Sequence, residues 1–122
     1  MVENSDIKRK YDLEDRTFTF AKDVRNFIKM LPFSIANQED SKQLIRASGS
    51  IGANYIEANE SLSKKDFLMR IKICRKEAKE SAYWLRLILS TNSLEVNAIG
   101  ERLLDEAIQL KKILHAILQK SK

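Results

Sequence analysis

Residues 64–90 read KKDFLMRIKICRKEAKESAYWLRLILS. Within this stretch Phe67, Ile71, Cys74, Ala78, Ser81, Leu85 and Ile88 recur at alternating spacings of four and three. That period is one face of an α-helix, and it runs too long for a strand. Lys65, Lys72, Lys76 and Lys79 fall on the opposite side, so the helix has one face in a core and one in water. Ser63 followed by Asp66 has the form of an N-terminal cap with an acidic first turn, and the polar run Ser90-Thr91-Asn92-Ser93 ends the segment.

The same period appears on both sides of it. Downstream, Val96, Ile99, Leu103, Ala107, Leu110, Leu114 and Ile117 form a stripe, which predicts a helix over about 95–119. Upstream, Leu44, Ser48, Ile51, Tyr55, Ala58 and Leu62 predict a helix over about 40–59, with Asn37 to Asp40 offering capping oxygens. Gly49 and Gly52 each cost about 1 kcal/mol inside a helix, so a closely approaching neighbour helix is expected there, or else a break near Gly49. Leu13, Phe20, Val24, Phe27 and Leu31 predict a helix over about 14–30, closed by Pro32. Residues 1–12 are polar and are expected to be a flexible segment preceding a four-helix domain over 13–122. No stretch alternates with period two. The fold expected is all-α, an antiparallel up-down-up-down four-helix bundle with short loops.

Composition narrows the chemistry. The 122 residues fit one domain, and Lys and Arg outnumber Asp and Glu by 22 to 17, a net charge of +5. That bias favours polyanionic partners. One cysteine, Cys74, and one histidine, His115, leave no Cys/His metal site and no internal disulfide. Cys74 lies in the core stripe, where a thiol acts as a small hydrophobe. His115 has no nucleophile or carboxylate at a suggestive spacing, so neither residue is expected to be catalytic. Glu77-x-x-Glu80 is the one carboxylate pair of di-metal form, but the histidine such sites use is missing. No enzyme activity, cofactor or metal is expected. No signal peptide and no membrane-length apolar run occurs, so a cytoplasmic protein with no membrane partner is expected.

Two surface features remain. Helices two and three should form an antiparallel hairpin that sets Arg46 opposite Glu80, a candidate polar link that is either desolvated or merely exposed. The basic stripe Lys65, Lys72, Lys76, Lys79, continued by Tyr83 and flanked by Arg75 and Arg86, suits a phosphate backbone; a plain solvated face is the alternative. Ile45, Gly52 and Ile56 on helix two, with Ile73, Trp84 and Leu87 on helix three, flank the core stripes. They are the candidate oligomer or packing surface.

Two segments carry a family resemblance. Residues 46–58, RASGSIGANYIEA, and residues 76–87, KEAKESAYWLRL, resemble the helix-two and helix-three signatures of the four-helix-bundle proteins encoded by intervening sequences in bacterial 23S ribosomal RNA genes. The opening helix Tyr11 to Lys29 is similar as well, while Ala58 stands where many members carry glycine. The resemblance implies a bundle that assembles into a homo-oligomeric ring, often a pentamer, with no enzymatic activity. A related group, the accessory proteins of diversity-generating retroelements, is basic and ring-forming and binds nucleic acid. The function expected is therefore a non-enzymatic oligomer binding RNA or DNA, or alternatively a protein-interaction scaffold.

Overall fold

The computed structural model describes residues 4–122, with side chains from Leu13 onward. The four helices are α1 (Asn4–Lys29), α2 (Ile35–Asn59), α3 (Lys64–Ser90) and α4 (Leu94–Ser121). Residues 1–3 of the segment expected to be flexible lie outside the described residues. From Asn4 the backbone is helical, so α1 starts ten residues before the expected position.

Short connections force neighbouring helices to run antiparallel, and the contacts bear this out. Along α2 and α3, Arg70 Nη1 donates to Asn54 Oδ1 at 2.9 Å, Cys74 Sγ to the Ile51 carbonyl at 3.4 Å, and Arg46 reaches Glu77 and Glu80. Numbers rise on one helix as they fall on the other. Arg25 near the Ile45 carbonyl and Asn59 bonded to Glu14 give the same reversal for α1 and α2. Arg75 beside His115 and Leu89 beside Gly100 give it for α3 and α4. The helices meet as α1–α2, α2–α3, α3–α4 and α1–α4, which closes a square. Arg16 ties the last pair, donating from Nε and Nη2 to the two Glu106 oxygens at 3.1 and 2.6 Å. This is the up-down-up-down bundle.

The core follows the predicted stripes with local shifts. Phe20, Phe27, Leu44, Ile51, Ile71, Leu85, Leu110 and Leu114 are fully enclosed. Each such side chain contributes roughly 1.5–3 kcal/mol by leaving water. Leu62, expected to continue the α2 stripe, lies in the turn beyond the helix and is fully exposed. On α4 the enclosed positions are Gly100 and Leu118 rather than Ile99 and Ile117. Glycine suits position 100, because a Cβ there would push on the Leu89 side chain and the Phe27 ring.

Gly52 has the neighbour its helix position called for. A Cβ on it would stand 2.9 Å from Thr17 Oγ1 of α1, so Gly52 lets the two helices approach closely. The helix is continuous through Gly49. The expected cap for α2 is corrected. The helix begins at Ile35, and Ser34 Oγ accepts from the Asn37 N–H at 3.0 Å. Asn37 is instead buried and stitches two loops at one end of the bundle. Its Nδ2 donates to the Pro32 carbonyl and to Asn92 Oδ1, and Asn92 Nδ2 donates back at 2.8 Å.

Candidate nucleic-acid interface

The two flanks of α3 differ in what faces them. Toward α2 the interface is built from small residues: Ala47 and Ser48 on one side, Cys74, Ala78 and Ser81 on the other, all buried. Their size lets the helices approach closely, and the buried hydroxyls are satisfied within their own helices. Ser48 Oγ donates to the Ile45 carbonyl and Ser81 Oγ to that of Glu77. Burial pushes the Cys74 thiol up to about 12, far from the range of a reactive thiolate.

At the edge of this seam Arg46 holds two carboxylates. Nη1 donates to Glu77 Oε2 at 3.2 Å and Nη2 to Glu80 Oε2 at 3.0 Å. The expected partner Glu80 is 37% exposed, whereas the Glu77 side chain is 4% exposed. The hairpin register paired Arg46 with Glu80 alone. In the structure Glu77 is the more deeply desolvated partner. Lys76 Nζ lies 4.0 Å from its second oxygen.

Toward α4 the flank opens into a groove of about 610 Å³. Lys72, Arg75, Lys76 and Lys79 line it from α3, and Lys111, Lys112 and His115 line it from α4. Among the described residues no carboxylate lines it. Arg75 Nη1 lies 2.8 Å from His115 Nδ1. Because a guanidinium can only donate, His115 Nδ1 is the acceptor in this contact. Gln119 sits 3.4 Å from the other ring nitrogen.

The predicted stripe is thus divided. Lys72, Lys76 and Lys79 come together in the groove, joined by Arg75. Lys65 lies away from it, in a shallow hollow at the start of α3 with Lys64, Asp66, Met69 and Lys72. Asp66 therefore offsets part of the positive charge there. Arg86 is exposed and does not line the groove. Tyr83 is 53% exposed, its ring meeting Trp84 edge to face at 5.1 Å. Trp84 packs on the core, and Ile73 and Leu87 are half-buried. Ile45 and Ile56 remain open to solvent. Lys111, Lys112 and His115 were missed by the sequence reading. Their signal was available: positions 111, 112 and 115 share one side of α4, opposite Arg75 in the second hairpin.

Fold and site together define a helical-bundle protein with one flank charge-matched and sealed and the other basic and open. Among the described residues no group of acidic, histidine and cysteine side chains could hold a metal ion. No helix there is long and apolar enough to cross a membrane. A family model described as 23S rRNA-intervening sequence protein matches residues 9–116, and the chain belongs to that family. It is also similar to a crystal structure from Bacteroides thetaiotaomicron VPI-5482, described as a protein with unknown function from the S23 ribosomal protein family. That match has 32% identity and a TM-score of 0.73, over 87% of this chain and 97% of the other. No curated protein matches.

Proposed function

We propose that this protein is a non-enzymatic, cytoplasmic homo-oligomer that binds nucleic acid, RNA or DNA, through the basic face of α3. The observation that carries the reading is the groove lined by six lysine and arginine side chains without a carboxylate. Cations gathered in a concavity raise the local potential and suit a chain of phosphates. Lysines on helix faces meet phosphates more than base edges, so binding is weakly sequence-specific. Self-association, as a pentameric ring in the form the family resemblance implies, is supported by apolar side chains left in water. Ile45 and Ile56 are two of them, and Phe33, Ile35 and Leu94 crowd the end of the bundle that Asn37 and Asn92 stitch together.

The test is an RNA oligonucleotide titrated at several salt concentrations, with light scattering on the same samples to read the assembly. Log affinity should fall with log salt. The triple variant Lys72→Gln, Lys76→Gln, Lys79→Gln should flatten that slope by about 2 to 3 with the oligomer intact. An unchanged affinity and slope would make the face mere solvated surface and give the lead to a protein-interaction scaffold.

A further inference from the structure

We infer that the α3/α4 groove is a proton-linked phosphodiester site, in which seating the anion charges His115 and releases Arg75. The inference deepens the nucleic-acid reading above and rests on it for the identity of the anion.

The Arg75–His115 contact is geometrically possible in one protonation state of Nδ1. A guanidinium has five donors and no acceptor, so the imidazole nitrogen at 2.8 Å must carry its lone pair toward Arg75. A proton on Nδ1 would set two donors against each other, and the contact would open. The ring shares its groove with cations from both helices. From α3 it is faced by Lys72, Arg75, Lys76 and Lys79, and on α4 its groove neighbours are Lys111 and Lys112. Gln119 completes the surroundings with a neutral amide. With the groove empty, a proton on Nδ1 finds no acceptor in Arg75. With a phosphate between the helices, both the imidazolium and the freed guanidinium gain an acceptor of opposite charge. Anion and proton therefore bind together, and affinity falls as pH rises through the range in which imidazoles titrate. The three α4 residues, Lys111, Lys112 and His115, become part of the site.

Two polyanions keep constant charge over the useful range of about pH 5.5 to 8: oligouridine with a 5′-hydroxyl end and a sulfated oligosaccharide. At fixed ionic strength both should bind about tenfold more tightly at the lower pH. His115→Gln, which keeps a neutral acceptor, should hold affinity near its high-pH level and remove the pH dependence. Lys111→Gln with Lys112→Gln should weaken binding at every pH and lower the salt slope for oligouridine by about 1 to 2. His115 is the chain's single histidine, so one imidazole proton resonance reports its titration directly. Its midpoint should rise when the sulfated oligosaccharide saturates the groove. A midpoint that stays put, or a pH dependence that survives in His115→Gln, overturns the coupling. Oligouridine binding that the α3 lysine variant abolishes would then leave the nucleic-acid reading standing. Proton-linked binding of the oligosaccharide with no binding of oligouridine would keep the groove and overturn the nucleic-acid reading. Binding of neither overturns both.

Discussion

Arg46 stands across one flank of α3 and Arg75 on the other, and the two guanidiniums are used in opposite ways. Arg46 spans Glu77 and Glu80, closing a seam of small buried residues with matched charge. Arg75 meets the His115 ring in a groove whose other lining charges are all positive. A buried carboxylate makes the first arginine necessary to the fold. Nothing buried depends on the second. Charge that is matched holds the bundle together, and the excess of cations in the concavity, where only Lys76 lies near a carboxylate, is available to a ligand.

The comparison breaks most visibly under one substitution made on both flanks. Arg46→Met strips Glu77 of its hydrogen-bonded partner, leaving Lys76 at 4.0 Å while that carboxylate stays enclosed, and should cost about 2–3 kcal/mol. The half-exposed position of Arg46, at 55%, keeps this below the full cost of a deep pair. Arg75→Met should stay within about 0.5 kcal/mol of the parent, as a surface change does. Urea unfolding measures both, and equal losses would erase the distinction between the flanks. A double-mutant cycle then sharpens it within the first flank. Coupling of Arg46 to Glu77, probed with Glu77→Gln, should exceed about 1.5 kcal/mol, while coupling to the more exposed Glu80 should fall below about 1 kcal/mol.

The closed flank also makes a claim about pH. Cys74 is enclosed between α2 and α3, and burial holds its thiol protonated up to about 12, against 9.0 when exposed. Above pH 9 the unfolded chain gives up this proton and the folded chain keeps it, so stability is full below pH 9 and falls as pH rises. Between pH 8 and pH 10 the loss from this group should be about 1.4 kcal/mol. The check is the same pH step applied to Cys74→Ala, which lacks the thiol and should lose that much less. An equal loss in both proteins would mean that water reaches the seam.

How far these features were legible depends on how many helices each involves. The span 64–90 was readable to the residue, because Ser63 and Asp66 fix its start and the period runs unbroken to Ile88. Arg46 opposite Glu80 followed from the antiparallel hairpin. Glu77 was left unpaired because the hairpin register sets Arg46 against Glu80, and a register does not reveal that one guanidinium can span two carboxylates a turn apart. Asn37 was assigned as a cap because its oxygen could do that work; tertiary contact with Asn92 took it elsewhere. The groove was half seen for the same reason. A stripe belongs to one helix, but a concavity belongs to two, and Lys111, Lys112 and His115 acquire meaning only once α4 lies beside Lys72 and Arg75.

The smallest expected effect decides what the open flank holds beyond phosphates. Tyr83 continues the line of Lys72, Lys76 and Lys79 by one further turn, half exposed, with its ring braced edge to face by Trp84. A ring held in this way offers a flat face to an unpaired base, whereas a paired base cannot unstack to reach it without added cost. Tyr83→Ala should therefore weaken binding of a single-stranded oligonucleotide by about 1 kcal/mol and leave duplex binding nearly unchanged. Tyr83→Phe keeps the ring and should match the parent on both, which separates stacking from any contact made by the hydroxyl. Competition between matched single-stranded and duplex RNA at one salt concentration reads the difference. Equal loss on both ligands would mean that Tyr83 serves the shape of α3, and that the open flank recognises charge alone.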